Sequence, residues 1–187
     1  MSTFQYMKNL IKDRNIASIT PTSKSGVKEV CERIDFSKRV VIVEYGPATG
    51  VFTKYLLEQM TNDSLLIAVE LNENFAETLQ KNITDSRLHV YQESAENIDE
   101  IMEKHGGEKA DYVISGIPFS LMNSELRQSI VRKTKEVLKS EGKFLPYQTF
   151  FQKDEHLKNY LTSNFNDVQE GFIIKNLPPM RLYEAVK

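Results

Sequence analysis

The chain has 187 residues, 40% of them hydrophobic and 27% charged, enough to bury the core of one ordinary domain and too short for two. A formal net charge of −2 is not the broad basic excess of a nucleic-acid binder, and a single cysteine, Cys31, excludes an internal disulfide and fits a reducing compartment. His89, His105 and His156 fall in no metal-ligand spacing, so no metal is expected; no apolar run approaches the ~20 residues of a membrane span. No apolar signal-peptide core opens the chain, and the expectation is a cytoplasmic protein, soluble or associated with a membrane surface.

Residues 1–35 read as a helical extension to a core over 36–187, the whole forming one domain. In its first part, 2–14, Phe4, Met7, Leu10 and Ile11 recur at helical spacing with Lys8, Lys12 and Arg14 around the turn. That pattern suits a helix lying on an anionic bilayer, and equally a lid packed over a ligand. A second helix over about 22–34 is entered through Thr20-Pro21-Thr22-Ser23, where proline beside hydroxyl residues favours a helix start. Residues 1–39 hold eight bases against four acids, so the rest of the chain is acidic.

The core alternates short apolar runs with longer amphipathic ones. Runs at 40–43, 65–69, 88–91, 112–114 and 143–147 read as buried parallel strands, and 50–60, 72–82, 95–104 and 123–139 as the helices between them. A helix over 153–163 follows, then 168–174, a break at 176–179, and 182–186, the pattern of an antiparallel hairpin. The expected architecture is α/β and Rossmann-like: a mostly parallel seven-stranded sheet with helices on both faces and a C-terminal antiparallel hairpin.

Ligands of such sheets bind at the carboxyl ends of the strands. The first strand ends in Glu44, passes through Gly46-Pro47-Ala48-Thr49-Gly50 and enters a helix. Gly46 permits a sharp turn and close backbone approach, and Gly50 lets the helix begin tight against the strand. The spacing Glu-x-Gly-x-x-x-Gly lacks the extra glycine that accommodates a pyrophosphate, so it suits S-adenosylmethionine, which has no phosphate. Glu70, after the second strand, is placed to accept both ribose hydroxyls, with Leu71 beside it. Ser94 and Ala95 follow the third strand; in methyltransferases this turn touches the adenine, and many carry Gly-Asp-Ala where this chain has Glu93-Ser94-Ala95, so a likeness to those enzymes implies that role here. The candidate cofactor residues are therefore Glu44, Gly46, Pro47, Thr49, Gly50, Glu70, Leu71, Ser94, Ala95 and Ser115.

The fourth strand leads into Ser115-Gly116-Ile117-Pro118-Phe119. A polar-x-Pro-aromatic loop at this position suits methylation of an amine, whose lone pair must be aligned with the methyl–sulfur bond. Ser115 and the loop carbonyls can accept its N–H groups, Pro118 stiffens the loop, and the Phe119 ring can cover the nitrogen. Ser115, Pro118 and Phe119 are the catalytic candidates. Tyr6, Phe119 and Tyr147 are the candidates for holding the acceptor, with Gln148 next to Tyr147 on the same cleft edge.

Together, Thr20-Pro21-Thr22-Ser23, the stretch from Glu44 to Thr53, Ser115 to Phe119, Tyr147-Gln148 and Asn176-Leu-Pro-Pro179 make the chain resemble the small soluble bacterial phospholipid N-methyltransferases. These are similar in turn to the ribosomal RNA adenine N-6 dimethyltransferases. The resemblance implies S-adenosylmethionine-dependent methylation of the amine of phosphatidylethanolamine, with residues 2–14 touching the membrane peripherally. It departs from the RNA enzymes in two respects. Those show Asn-hydrophobic-Pro-aromatic in the catalytic loop, where Gly116 here separates Ser115 from Ile117, and they usually carry a further helical domain that grips RNA. Methylation of RNA adenine is therefore the second reading, and a noncatalytic S-adenosylmethionine-binding module the third. A small soluble amine or a protein side chain is a further possible acceptor.

Overall fold

A computed structural model describes residues 22–149 and 155–187. The expected helix over 2–14, with Tyr6, lies outside the described residues.

Among the described residues, thirteen α-helices and strands follow one another: α1 (Lys24–Cys31), β1 (Val41–Tyr45), α2 (Val51–Gln59), β2 (Leu65–Glu70), α3 (Glu73–Asn82), β3 (Leu88–Gln92), α4 (Ile98–Glu103), β4 (Ala110–Ser115), α5 (Ser124–Val137), β5 (Leu138–Thr149), α6 (Glu155–Asn164), β6 (Asp167–Ile173) and β7 (Met180–Val186). The seven strands form one sheet in the order β3-β2-β1-β4-β5-β7-β6. The first five run parallel, and β7 is antiparallel to both β5 and β6. This is the Rossmann-like architecture that the alternating pattern predicts, closed by the expected hairpin.

β1 is central and buried on both faces, which is why its β-branched run carries no period-2 alternation. Val41, Val43 and Tyr45 face a core roofed by α4, α5 and α6, with Ile67, Val69, Val113 and Phe144 from the neighbouring strands. Val40, Ile42, Leu66, Ile114 and Leu145 face the opposite core, roofed by α1 and α2. Side chains cap several helices where the sequence places Ser or Asn. Ser23 Oγ accepts from Gly26 N, Asn72 Oδ1 from Phe75 N and Asn123 Oδ1 from Leu126 N, each such cap contributing about 1 kcal/mol.

Two details differ from the sequence reading. β3 is an edge strand, half-buried to exposed along its length, and not a buried one; an edge position is a property of strand order, which local composition does not encode. The long helix stops at Val137, and β5 begins at the next residue with a bulge opposite the start of β4. Glu141 has φ +61° there, and a Cβ on Gly142 would stand 2.9 Å from the carbonyl oxygen of Lys139. The Lys139 ammonium reaches back 2.9 Å to Asp111 and ties the bulge to β4. The apolar spacing continues smoothly through Leu138 and hides this change of direction.

Candidate active site

The carboxyl ends of β1, β2, β4 and β5 share one edge of the sheet, and every described site candidate lies on the strands or loops at that edge. From β1 the backbone turns at Gly46 (φ +70°), whose N–H donates to the Val69 carbonyl (2.9 Å), and reaches α2 through Gly50 (φ +77°). The positive φ favours glycine at both positions, and an added Cβ would also make a neighbouring side chain shift. A Cβ on Gly46 would stand 2.9 Å from Ile117 of the loop after β4, and one on Gly50 would stand 2.5 Å from Leu79 of α3. Pro47 is buried within this turn, whereas Thr49 is exposed.

Two acids support the turn. Glu70 is buried, and its two oxygens accept separately from the N–H of Ala48 (3.0 Å) and of Asn72 (2.8 Å). It thereby joins the β1–α2 turn to the start of α3. Burial raises its pKa, against the pull of the backbone donors at Asn72, Ala48 and Leu71. Glu44 is 3% exposed and accepts a hydrogen bond from Thr53 Oγ1 at 2.7 Å. Loss of hydration pushes its pKa up to about 8; the Thr53 hydroxyl opposes this and the Glu70 charge adds to it. A carboxylate oxygen has two lone pairs, so both acids keep capacity to accept from a ligand.

After β3, the Glu93 N–H donates to the Glu70 carbonyl (3.1 Å). Ser94 caps the short turn Ala95–Asn97 by accepting from Glu96 N (3.2 Å), and Ala95 is buried. Leu71 is half-buried beside Glu70. Glu44, Gly46, Pro47, Gly50, Glu70, Leu71, Ser94 and Ala95 thus come together at the ends of three adjacent strands.

The loop after β4 crosses over this turn. Gly116 N–H donates to the Tyr45 carbonyl (3.0 Å), and Ile117 covers Gly46. Gly116 also leaves room for Tyr147, whose hydroxyl oxygen would stand 2.4 Å from a Cβ there. The half-buried Tyr147 ring stacks on Phe52 of α2, centroids 4.7 Å apart. Ser115 is fully buried, and its hydroxyl finds no hydrogen-bond partner; neither end of the Gln148 amide finds one either, although Gln148 is 4% exposed. Ser115 pairs with Pro146 in the parallel register, so strand alternation puts Ser115 and Gln148 on one face. Buried polar atoms left unpaired cost about 1–3 kcal/mol each, and two adjacent strands carrying them at one sheet edge make that edge a candidate place for a polar ligand.

Phe119 is placed differently from the expectation that its ring covers a nitrogen. The ring is 1% exposed and packs edge-on against Phe144 in the core, centroids 6.3 Å apart. In this arrangement Phe119 anchors the loop and opens the short turn Phe119–Leu121, which Pro118 precedes at its cap. The sequence reading also missed Arg127. This buried guanidinium donates from Nε to the Phe119 carbonyl (3.1 Å) and from Nη2 to the Met122 carbonyl (2.9 Å), fixing the loop from α5. The available signal was an arginine set beside Leu126 and Ile130 on the apolar stripe of a helix. Thr53 as the partner of Glu44 was legible only as the next hydroxyl after the glycine turn.

These groups fit S-adenosylmethionine: a buried acid for an ammonium, a second for a diol, and a turn whose two glycines hold left-handed backbone. The chain matches the methyltransferase domain family over residues 42–142. It is 28% identical over 176 residues to an ornithine lipid N-methyltransferase of Singulisphaera acidiphila, spanning 90% of this chain and 86% of that one. It is 24% identical over 127 residues to the ribosomal RNA small subunit methyltransferase A of Mycoplasma mycoides, spanning 67% of this chain and 42% of that one. A solved magnesium protoporphyrin IX methyltransferase of Synechocystis PCC 6803 with bound SAM shares the fold, with TM-score 0.70 at 10% identity, covering 100% of this chain and 98% of that one.

Proposed function

We propose, from the premise that this chain belongs to the methyltransferase domain family and uses S-adenosylmethionine as its cofactor, that it methylates the amine nitrogen of a lipid headgroup, with phosphatidylethanolamine as the leading acceptor. The observation that carries the reading is the match to an ornithine lipid N-methyltransferase over 90% of the chain. Both lipids present a primary amine at the water–bilayer boundary, so the shared chemistry is a lipid amine. The shorter match to a ribosomal RNA small subunit methyltransferase, over 127 residues, supports the second reading, RNA adenine.

In this reading Glu44 takes the cofactor's amino-acid ammonium, Glu70 its ribose hydroxyls, and Leu71, Ser94 and Ala95 its adenine, while Gly46 to Gly50 back it with main chain. When bound, the cofactor supplies an electrophilic methyl group on a sulfonium. The chain's own part is to hold an amine with its lone pair free. Ser115 Oγ and the carbonyls of the loop accept the amine's N–H groups, and the unpaired Gln148 amide lies on the same face to hold the acceptor. Tyr147 walls the opposite side against Phe52. Arg127 and the Phe119 ring keep the loop from yielding, which turns hydrogen bonding into orientation. The amine arrives neutral, and the proton of the methylated ammonium leaves to water before another transfer.

The test offers labelled S-adenosylmethionine with phosphatidylethanolamine, ornithine lipid and total ribosomal RNA side by side. Label extracted with the lipid is the expected result. Label in RNA alone would replace the reading by the second one, and cofactor binding without any transfer would leave a binding module.

A further inference from the structure

Four large apolar side chains are exposed among the described residues, and three of them, Phe172 (49%), Ile174 (78%) and Leu177 (82%), fall at the end of the β6–β7 hairpin. The hairpin's place in the sheet gives this clustering a meaning. Met180 pairs with Thr149 at the end of β5 and with Ile173 at the end of β6, so the turn 174–179 projects from the same sheet edge as the acceptor loop. Gln148, with its unpaired amide, is the register partner of Arg181, one residue from the start of β7.

The turn is a built one. Asn176 is 3% exposed; its Oδ1 accepts from Ser23 N (2.7 Å) and its Nδ2 donates to the Pro178 carbonyl (2.8 Å). Thr22 Oγ1 lies 3.9 Å from the Met180 sulfur. With Asn176 and Met180 held inward against the start of α1, Ile174 and Leu177 stay outward on a fixed scaffold. Among the described residues, the hairpin turn and the first turn of α1 carry bases and no acid. Lys175 in the turn and Lys24 in the first turn of α1 are exposed, no described acid pairs with either, and residues 174–180 contain no acid. Arg181 is matched locally by Glu170 (2.9 Å) and is not counted.

We infer that the tip of the β6–β7 hairpin, through Ile174 and Leu177 flanked by Lys24 and Lys175, is the surface by which the protein seats on an anionic lipid bilayer, next to the acceptor loop. Apolar side chains rimmed by bases match acyl chains beneath anionic headgroups, whereas two copies of the tip meeting each other would bring bases against bases. The inference rests on the lipid-amine reading and adds where the bilayer is met. Residues 1–21, which carry Lys8, Lys12 and Arg14, connect at Thr22 beside this turn.

The experiment compares the full chain with Ile174→Ser/Leu177→Ser and with Lys24→Glu/Lys175→Glu. It measures partition onto vesicles of phosphatidylcholine mixed with phosphatidylglycerol and onto phosphatidylcholine alone, with S-adenosylmethionine affinity as the control for folding. The serine pair is expected to lower partition at least about tenfold. The glutamate pair is expected to lower anionic-vesicle partition about tenfold or more and to flatten its salt dependence. Cofactor affinity stays unchanged in both. Partition of the serine pair equal to that of the unaltered chain would overturn the inference. So would an unaltered chain that ignores anionic vesicles, or a serine pair that changes the oligomeric state and not partition. Methylation of detergent-dispersed phosphatidylethanolamine, measured alongside, separates this inference from the reading beneath it. A chain that seats through the tip yet methylates no dispersed amine loses only its proposed substrate. One that methylates the dispersed amine while the serine pair partitions normally loses only the tip.

Discussion

The turn after β1 and the loop after β4 face each other across Ile117 and Gly46, yet their polar groups are treated in opposite ways. On the cofactor side each buried acid has protein donors: two backbone N–H groups for Glu70 and the Thr53 hydroxyl for Glu44. On the acceptor side Ser115 Oγ and the whole Gln148 amide are buried with no hydrogen-bond partner. The first region has its buried acids already held in place by protein donors. The second leaves buried hydroxyl and amide groups open to a further hydrogen-bond partner. An enzyme with one invariable cofactor and a separate acceptor profits from that division, since preorganisation helps most where the ligand never changes.

The comparison breaks most severely at Gly46. Gly46→Arg forces a side chain into a left-handed backbone and onto Ile117, and cofactor binding by calorimetry is expected to vanish. Undiminished affinity would remove the turn from the site. The acceptor side breaks at Phe119. Phe119→Ala empties a fully buried position against Phe144, and a loss of about 3–5 kcal/mol is expected in denaturant unfolding. At a temperature where the variant stays folded, turnover falls and cofactor affinity holds; equal losses in both would show that the two regions are not separable.

A finer effect sharpens the cofactor side. The folded chain raises the Glu44 pKa to about 8, so below the ordinary carboxyl pKa the group is protonated in both states and the stability is complete. As pH rises through that ordinary value toward about 8, the unfolded chain releases a proton that the folded one keeps, and stability declines. The raised pKa of Glu70 acts in the same direction. Glu44→Gln, which preserves shape and an acceptor for Thr53, should reduce the slope of unfolding midpoint against pH across that window; an unchanged slope would deny the shift. With a cation beside it the carboxyl ionises, so S-adenosylmethionine binding near neutral pH should expel a proton from the unaltered chain and none from Glu44→Gln. Binding enthalpies in buffers of different ionisation heat measure this, and buffer-independent enthalpy in the unaltered chain would place the ammonium elsewhere.

Much of this was legible before any coordinates. The parallel core shows in uninterrupted apolar runs such as Val40 to Val43, because strands covered on both faces need no alternation. The glycine turn shows because only glycine occupies φ +70° and +77° without strain. What stayed hidden depends on neighbours distant in the chain. Leu88 to Tyr91 is apolar enough for a central strand but lies at the edge, since strand order is decided by crossovers. Phe119 follows a catalytic-type loop, yet its ring turns into the core because Phe144, on the adjacent strand, offers it a partner. Arg127 reads as a surface charge until the carbonyls of Phe119 and Met122 are seen to need it.

The clip between Ser23 and Asn176 has a consequence for how the molecule is made. Its two residues are 153 positions apart in the chain. A ribosome adding ~5–20 residues per second needs on the order of 10–30 s to travel between them. During that interval β1 to β5 can assemble as they emerge, but α1 lacks the strand and turn that receive its first turn, and the sheet face of Val40 and Ile42 lacks part of its roof. Both hydrophobic faces of the sheet therefore stay incomplete until the hairpin arrives, since Met180 and Leu182 pack on one and Tyr183 and Ala185 on the other.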